Sequence, residues 1–167
     1  LASTLEFPTK LEDLYKVNKR KPPKPRPHQI EAIANVIKHF KLSDRGQLIM
    51  ACGTGKTYTT LWIKENLSAQ STLVLLPSLG LLSQTMREWT SSRKKPFEVL
   101  CVCSDQSVGK KEEDESIMSV GDLGFPVTSD VKEIQKFIKG DGARVIFSTY
   151  QSSPLIAEAQ KNKTLPA

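Results

Sequence analysis

The chain is poor in the residues that build several kinds of site. Among its 167 residues there are three cysteines, Cys52, Cys101 and Cys103, and two histidines, His28 and His39. The cysteine count is odd and has no framework spacing, which fits a reducing, cytoplasmic setting best. Cys101 and Cys103 lie two apart in an apolar run, so on a strand they share one face as buried thiols. With both histidines far away in sequence, they do not complete a zinc ligand set. No apolar run approaches the roughly 20 residues of a membrane-spanning helix, so no membrane partner is expected. The opening residues 1–6 have neither a basic start nor a long apolar stretch, which speaks against a secretory signal. They also lack an initiator Met, and the chain is expected to be a piece of something larger.

What remains has globular proportions. Hydrophobic residues make up 38% and charged residues 25%, which excludes a disordered, collagen-like or coiled-coil chain. The length suits one domain, with or without an arm. The formal charge is +6; a basic balance suits a partner that carries phosphates, without deciding the fold.

Residues 1–27 read as a basic, proline-rich arm. Pro22, Pro23, Pro25 and Pro27 alternate with Lys and Arg. Proline fixes φ and removes amide donors, so the segment is extended. It is either a solvated linker or an arm along a phosphate backbone.

Alternating elements follow. Pro27 opens a helix with Ile30, Ile33, Val36, Ile37 and Phe40 in one apolar stripe. Residues 47–51 form a short apolar strand, a Gly-rich turn follows, and 55–67 is a helix. The apolar run 72–76 has the composition of a parallel strand buried on both faces. A helix over 79–89 carries Leu82, Met86 and Trp89 inward. Residues 97–103 make a third strand, and 105–124, with Lys110 and Lys111 before four consecutive acids, a solvated polar loop. Ser129 or Asp130 caps a helix to Lys139, Gly140 and Gly142 break it, 144–148 is a fourth strand, and 155–161 a short helix. Strand–helix alternation predicts an α/β fold, a mostly parallel sheet with helices on both faces.

The strongest chemical signal is Met50-Ala51-Cys52-Gly53-Thr54-Gly55-Lys56-Thr57. It sits between a predicted strand and a predicted helix, where a phosphate loop must sit. Gly53 and Gly55 admit positive φ and close approach of backbone to anionic oxygen. Successive amides and the helix N-terminus then form an anion nest. Lys56 would reach the β- and γ-phosphates, and the Thr57 hydroxyl would ligate Mg²⁺. The pattern departs from the usual phosphate loop in having Met50 where the first glycine stands. Gln29 lies 24 residues ahead of Gly53; its amide both donates and accepts, matching the edge of adenine.

In combination these motifs resemble superfamily 2 helicases. Arg26-Pro27-His28-Gln29 resembles their Q-motif and residues 50–57 their motif I, in which a non-glycine first position is ordinary. Pro77-Ser78-Leu79 resembles motif Ia, and Thr149-Tyr150-Gln151-Ser152 the motif Ib region. The phrases QLIMACGTGKT, TLVLLPSLGLLSQTMREW and FSTYQSSP are most similar to the restriction-enzyme helicases, both type III-like and single-polypeptide ATP-dependent restriction–modification proteins. The resemblance runs from residue 26 to the end.

It implies a RecA-like P-loop NTPase domain over residues 28–167, the first of two motor domains, working on ATP and Mg²⁺. Arg26 and Gln29 would read adenine. Cys52, Gly53, Thr54, Gly55, Lys56, Thr57 and Tyr58 would hold the nucleotide, with Lys56 and Thr57 in the catalytic roles. Pro77, Ser78, Leu79, Thr149 and Tyr150 would meet the DNA backbone, without reading bases. The partners implied are DNA, a second RecA-like domain, and nuclease or methyltransferase domains on the same polypeptide. The family also needs an Asp-Glu pair after an apolar strand. None follows Ser148, and Asp105 is followed by Gln106, so it is rejected as the catalytic acid. The chain is therefore expected to stop short of that box, which would lie shortly beyond Ala167, and to be inactive as an ATPase by itself. Two other readings are a small-molecule P-loop kinase and a non-enzymatic nucleic-acid-binding module. The late position of the phosphate loop, Met50 and the upstream Gln29 weigh against the kinase.

Overall fold

The computed structural model describes residues 23–103 and 127–161. Most of the basic arm, the acidic segment around residues 110–115 with Asp105, and residues 162–167 lie outside the described residues. In chain order the elements are α1 (Pro27–His39), α2 (Lys56–Asn66), β1 (Ser71–Leu76), α3 (Leu79–Ser92), β2 (Glu98–Val102), β3 (Val127–Thr128), α4 (Val131–Lys139), β4 (Arg144–Thr149) and α5 (Ser153–Lys161). A single 3₁₀ turn, Tyr150–Ser152, joins β4 to α5.

The four strands form one parallel sheet in the order β1-β4-β2-β3. β4 is central: Leu73 pairs with Ile146 on one side, and Leu100 pairs with it on the other. Because side chains alternate along a strand, each face of this sheet carries its own apolar set. Val145, Phe147 and Cys101 face Leu61 of α2 and Leu82, Met86 and Trp89 of α3. Leu100, Val102 and Ile146 face Ile134 of α4 and Ile156 and Ala159 of α5. This is the expected parallel α/β architecture with helices on both faces.

Capping explains where the helices start. Ser78 Oγ accepts from Leu81 N at 3.3 Å, and Asp130 Oδ1 accepts from Lys132 N at 2.8 Å; each satisfies an amide that the first turn leaves open. Cys101 and Cys103 are buried with their sulfurs 3.3 Å apart, on one side of the sheet as their spacing requires. Their mutual hydrogen bond and burial push the Cys101 thiol well above its ordinary range.

The structure departs from expectation in four places. Residues 47–51 carry the apolar pattern of a strand but pair with no strand among the described residues, and Ile49 is 89% exposed. A strand is defined by its ladder, so apolar composition without a neighbour leaves an extended segment. The run 72–76 does form a parallel strand, but an outer one. Leu73 and Leu75 stand 43% and 37% exposed, where burial on both faces was expected. β3 was not foreseen: two residues, Val127 and Thr128, pair in parallel with Cys101 and Val102, too short a run for periodicity to announce. The stripe on α1 is also only partly covered. Gln29 is the buried residue of that helix, while Ile30 and Phe40 remain 56% and 40% exposed.

Candidate nucleotide and DNA site

The phosphate-loop region is built by two glycines and one glutamine. Gly53 and Gly55 have φ of 75° and 81°, in the left-handed region that costs an L side chain but not glycine. Gly55 is the residue immediately before α2, so the loop turns directly into the helix N-terminus. The space beside Gly53 is open, with no atom within 4 Å of where a Cβ would lie. Beside Gly55 a Cβ would stand 2.6 Å from Gln29 Nε2, so the second glycine is needed for close approach as well as for φ.

Gln29 is 4% exposed. Its Nε2 donates to the carbonyls of Thr54 at 3.0 Å and Gly55 at 3.3 Å, and its Oε1 accepts from Arg26 N at 2.8 Å. The first turn of α1 therefore braces the loop. Gln29 is brought to the loop as its spacing suggested, with the amide turned toward loop carbonyls. His28 Nε2 lies 3.3 Å from the same Thr54 carbonyl. His28 was not among the expected site residues; its place next to Gln29 in the helix's first turn was the available signal.

Lys56 folds back over the approach to the loop. Its Nζ donates to the carbonyls of Met50 at 3.1 Å and Ala51 at 3.0 Å, and Thr54 Oγ1 donates to Ala51 O at 2.7 Å. The ammonium is thus held by neutral acceptors, which an anionic oxygen outcompetes. Cys52 is exposed at the crest of the turn. Tyr58 stacks on Trp62, with ring centroids 6.0 Å apart. Beside the loop, between α1 and residues 46–51, lies a cleft of about 870 Å³ lined in part by His28, Asn35, Leu48, Met50 and Thr54.

The second group of expected residues gathers at the strand ends. Leu76 of β1 pairs with Thr149 of β4, so Pro77-Ser78-Leu79 and Thr149-Tyr150 leave neighbouring strands side by side. Pro77 is exposed, and Ser78 and Leu79 are half-buried. Tyr150 is 57% exposed, whereas Thr149 is 1% exposed and its Oγ1 donates to Ser152 Oγ at 3.1 Å. Thr149 therefore holds the turn from inside, and Tyr150 is the side chain offered to the surface. One link that pattern reading missed joins the two groups: Trp89 Nε1 of α3 donates to the Thr57 carbonyl in the first turn of α2, at 2.9 Å.

No group of three or more His, Cys, Asp or Glu side chains among the described residues could hold a metal ion. No described helix is long and apolar enough to cross a membrane.

Comparisons with known proteins bear on the family and the fold. The family described as "Type III restriction enzyme, res subunit" (ResIII) matches residues 22–166. A probable helicase of African swine fever virus is 31% identical over 133 residues, which is 80% of this chain and 14% of the viral protein. Two of the similar solved structures are informative. One is a nuclease-deletion mutant of the type ISP restriction–modification enzyme LlaGI in complex with a DNA substrate mimic, at 38% identity and TM-score 0.68, covering 86% of this chain and 14% of that one. The other is the ATP-dependent type ISP enzyme LlaBIII bound to DNA, at 39% identity and TM-score 0.71, covering 87% and 10%. The chain spans only about a seventh of the length of the viral relative. With a parallel sheet, a glycine turn opening α2, and a family match across most of its length, this chain belongs to the ResIII family and has the RecA-like α/β fold of helicase motor domains.

Proposed function

We propose that this chain is the ATP-binding first motor domain of a DNA-dependent ATPase or translocase, the motor of a restriction–modification enzyme. The observation that carries the reading is the turn at residues 52–56. Two left-handed glycines aim it into a helix N-terminus, and open space lies beside Gly53. ATP with Mg²⁺ supplies the phosphoryl group whose hydrolysis drives such a motor. The amides from Gly53 to Thr57 would hold the triphosphate, and Lys56 would leave the Met50 and Ala51 carbonyls for the β- and γ-phosphates. Thr57 would hold Mg²⁺. Arg26 and Gln29 would flank adenine, Gln29 exchanging part of its grip on the loop for the base. Cys52 and Tyr58 border the site. Pro77, Ser78, Leu79 and Tyr150 would meet the DNA backbone, and Thr149 would shape that surface. Such contacts position a duplex without reading its sequence.

The family match and the DNA-bound relatives support this over a small-molecule kinase. A second RecA-like domain and nuclease or methyltransferase domains on the same polypeptide fit the much greater length of the relatives. A cytoplasmic setting fits the free thiols.

The test is Lys56→Ala, read by binding of a fluorescent ATP analogue and of duplex DNA. Removing a charge-assisted partner should weaken nucleotide binding by about tenfold or more, while DNA affinity stays. Unchanged nucleotide affinity overturns the reading. The 167-residue chain alone should show no DNA-stimulated turnover; clear turnover by it would refute the need for an Asp-Glu pair from elsewhere.

A further inference from the structure

We infer that Trp89 is a positioning residue that couples the DNA-facing helix α3 to the nucleotide-facing helix α2. The inference rests on the motor reading above and concerns how its two surfaces communicate.

Trp89 is 2% exposed, and a buried indole N–H must find an acceptor. Its acceptor is the Thr57 carbonyl at 2.9 Å, a backbone atom of the residue proposed to hold Mg²⁺. The ring is fixed on two other sides. It packs edge-on against Phe147, 5.5 Å between centroids, and against Phe97 at 6.5 Å. Phe147 lies in β4 two residues before Thr149, so the same indole touches the strand that leads to Tyr150. A second tether joins the far end of α2 to the residues after α3: Lys94 N donates to Glu65 Oε1 at 2.6 Å. Bonded near both of its ends, α2 is tied to α3.

Interdigitated apolar side chains set how two helices pack, without tying any one backbone atom to a single partner. A hydrogen bond is directional and fixes the relative position of its partners. Ser78, which caps α3 and stands at the proposed DNA surface, precedes Trp89 by eleven residues on one uninterrupted helix, about 16 Å along its axis. A small displacement of α3 by a bound DNA backbone would therefore be felt at Thr57 through the indole bond.

The test uses the full-length protein with Trp89→Phe, and with Trp89 replaced by benzothienylalanine, which keeps the bicyclic shape and removes the N–H. Thermal unfolding, ATP-analogue affinity, DNA affinity, and turnover with and without duplex DNA are measured. Without the donor, DNA-stimulated kcat should fall about fivefold or more, the scale of one net hydrogen bond. DNA-free turnover and both affinities should stay within about twofold of wild type, well below that scale. Full DNA stimulation in the donor-less variants overturns the coupling while leaving the motor reading intact. So does an equal fall with and without DNA, or loss of folding in both variants, because each marks a purely structural bond. Wild-type protein that DNA does not stimulate overturns the motor reading, and the coupling with it.

Discussion

Individual residues divide into those set by local chemistry and those set by neighbours. Gly53 and Gly55 belong to the first kind, since a left-handed turn ahead of a helix selects glycine wherever it occurs. Gly55 is also constrained by Gln29, so Gly55→Ala should do more harm than Gly53→Ala. The expected loss for Gly55→Ala is about 1–3 kcal/mol of stability from backbone strain, with displacement of Gln29 from the loop. Urea unfolding and ATP-analogue titration of both variants measure the difference. Cys52 offers a direct probe of the loop. It is the exposed thiol, while Cys101 and Cys103 are buried. In the native protein a maleimide should label Cys52 quickly and the other two only after unfolding, and saturating Mg-ATP should slow the labelling of Cys52. Labelling that ignores nucleotide would place ATP elsewhere.

At the scale of elements, the strength of a hydrophobic pattern did not decide how far it was buried. The stripe of α3 runs into the centre of the molecule: Leu82, Met86 and Trp89 are all at or near zero exposure. Leu82→Ala should therefore cost about 2–5 kcal/mol, as deleting a packed core side chain does, seen as a shift of the urea midpoint. Ser78→Ala removes only a cap and should cost about 1 kcal/mol. If Ser78 also meets DNA, the same substitution should weaken DNA binding beyond what its small stability change explains. The stripe of α1 has equal periodicity, yet Ile30 and Phe40 stay exposed, because periodicity specifies a face and not what packs on it. Residues 47–51 show the same limit in strand form: their side chains suit a sheet, but no described strand lies alongside to complete a ladder.

On the scale of the whole molecule, the sheet formed by the described residues has two outer strands, β1 and β3. β1 ends the strand order, and Leu73 and Leu75 are partly bare on its face. An apolar outer strand with free amides is a template for another strand. In a longer protein a further parallel strand is expected on this edge. Hydrogen exchange gives the measurement: the β1 amides that point away from β4 should exchange quickly in the isolated 167-residue chain and slowly in the longer protein. Equal exchange in both would mean that this edge stays open.

Much of this was legible from one dimension, because some constraints are local. Glycine at positive φ, Ser and Asp caps, proline breaks and the alternation of apolar runs act over a few residues, so the fold class and the glycine turn ahead of α2 could be read directly from the chain. Tertiary structure decided what depends on partners far apart in sequence. It put β4 at the centre and β1 at the rim, turned Thr149 inward and Tyr150 outward, set Gln29 under the loop, and aimed the Trp89 indole at Thr57. A ladder, a buried hydrogen bond and the exposure of a side chain are each properties of a pair or a surrounding. A string of residue types specifies its candidates for those roles, and only packing in three dimensions chooses among them.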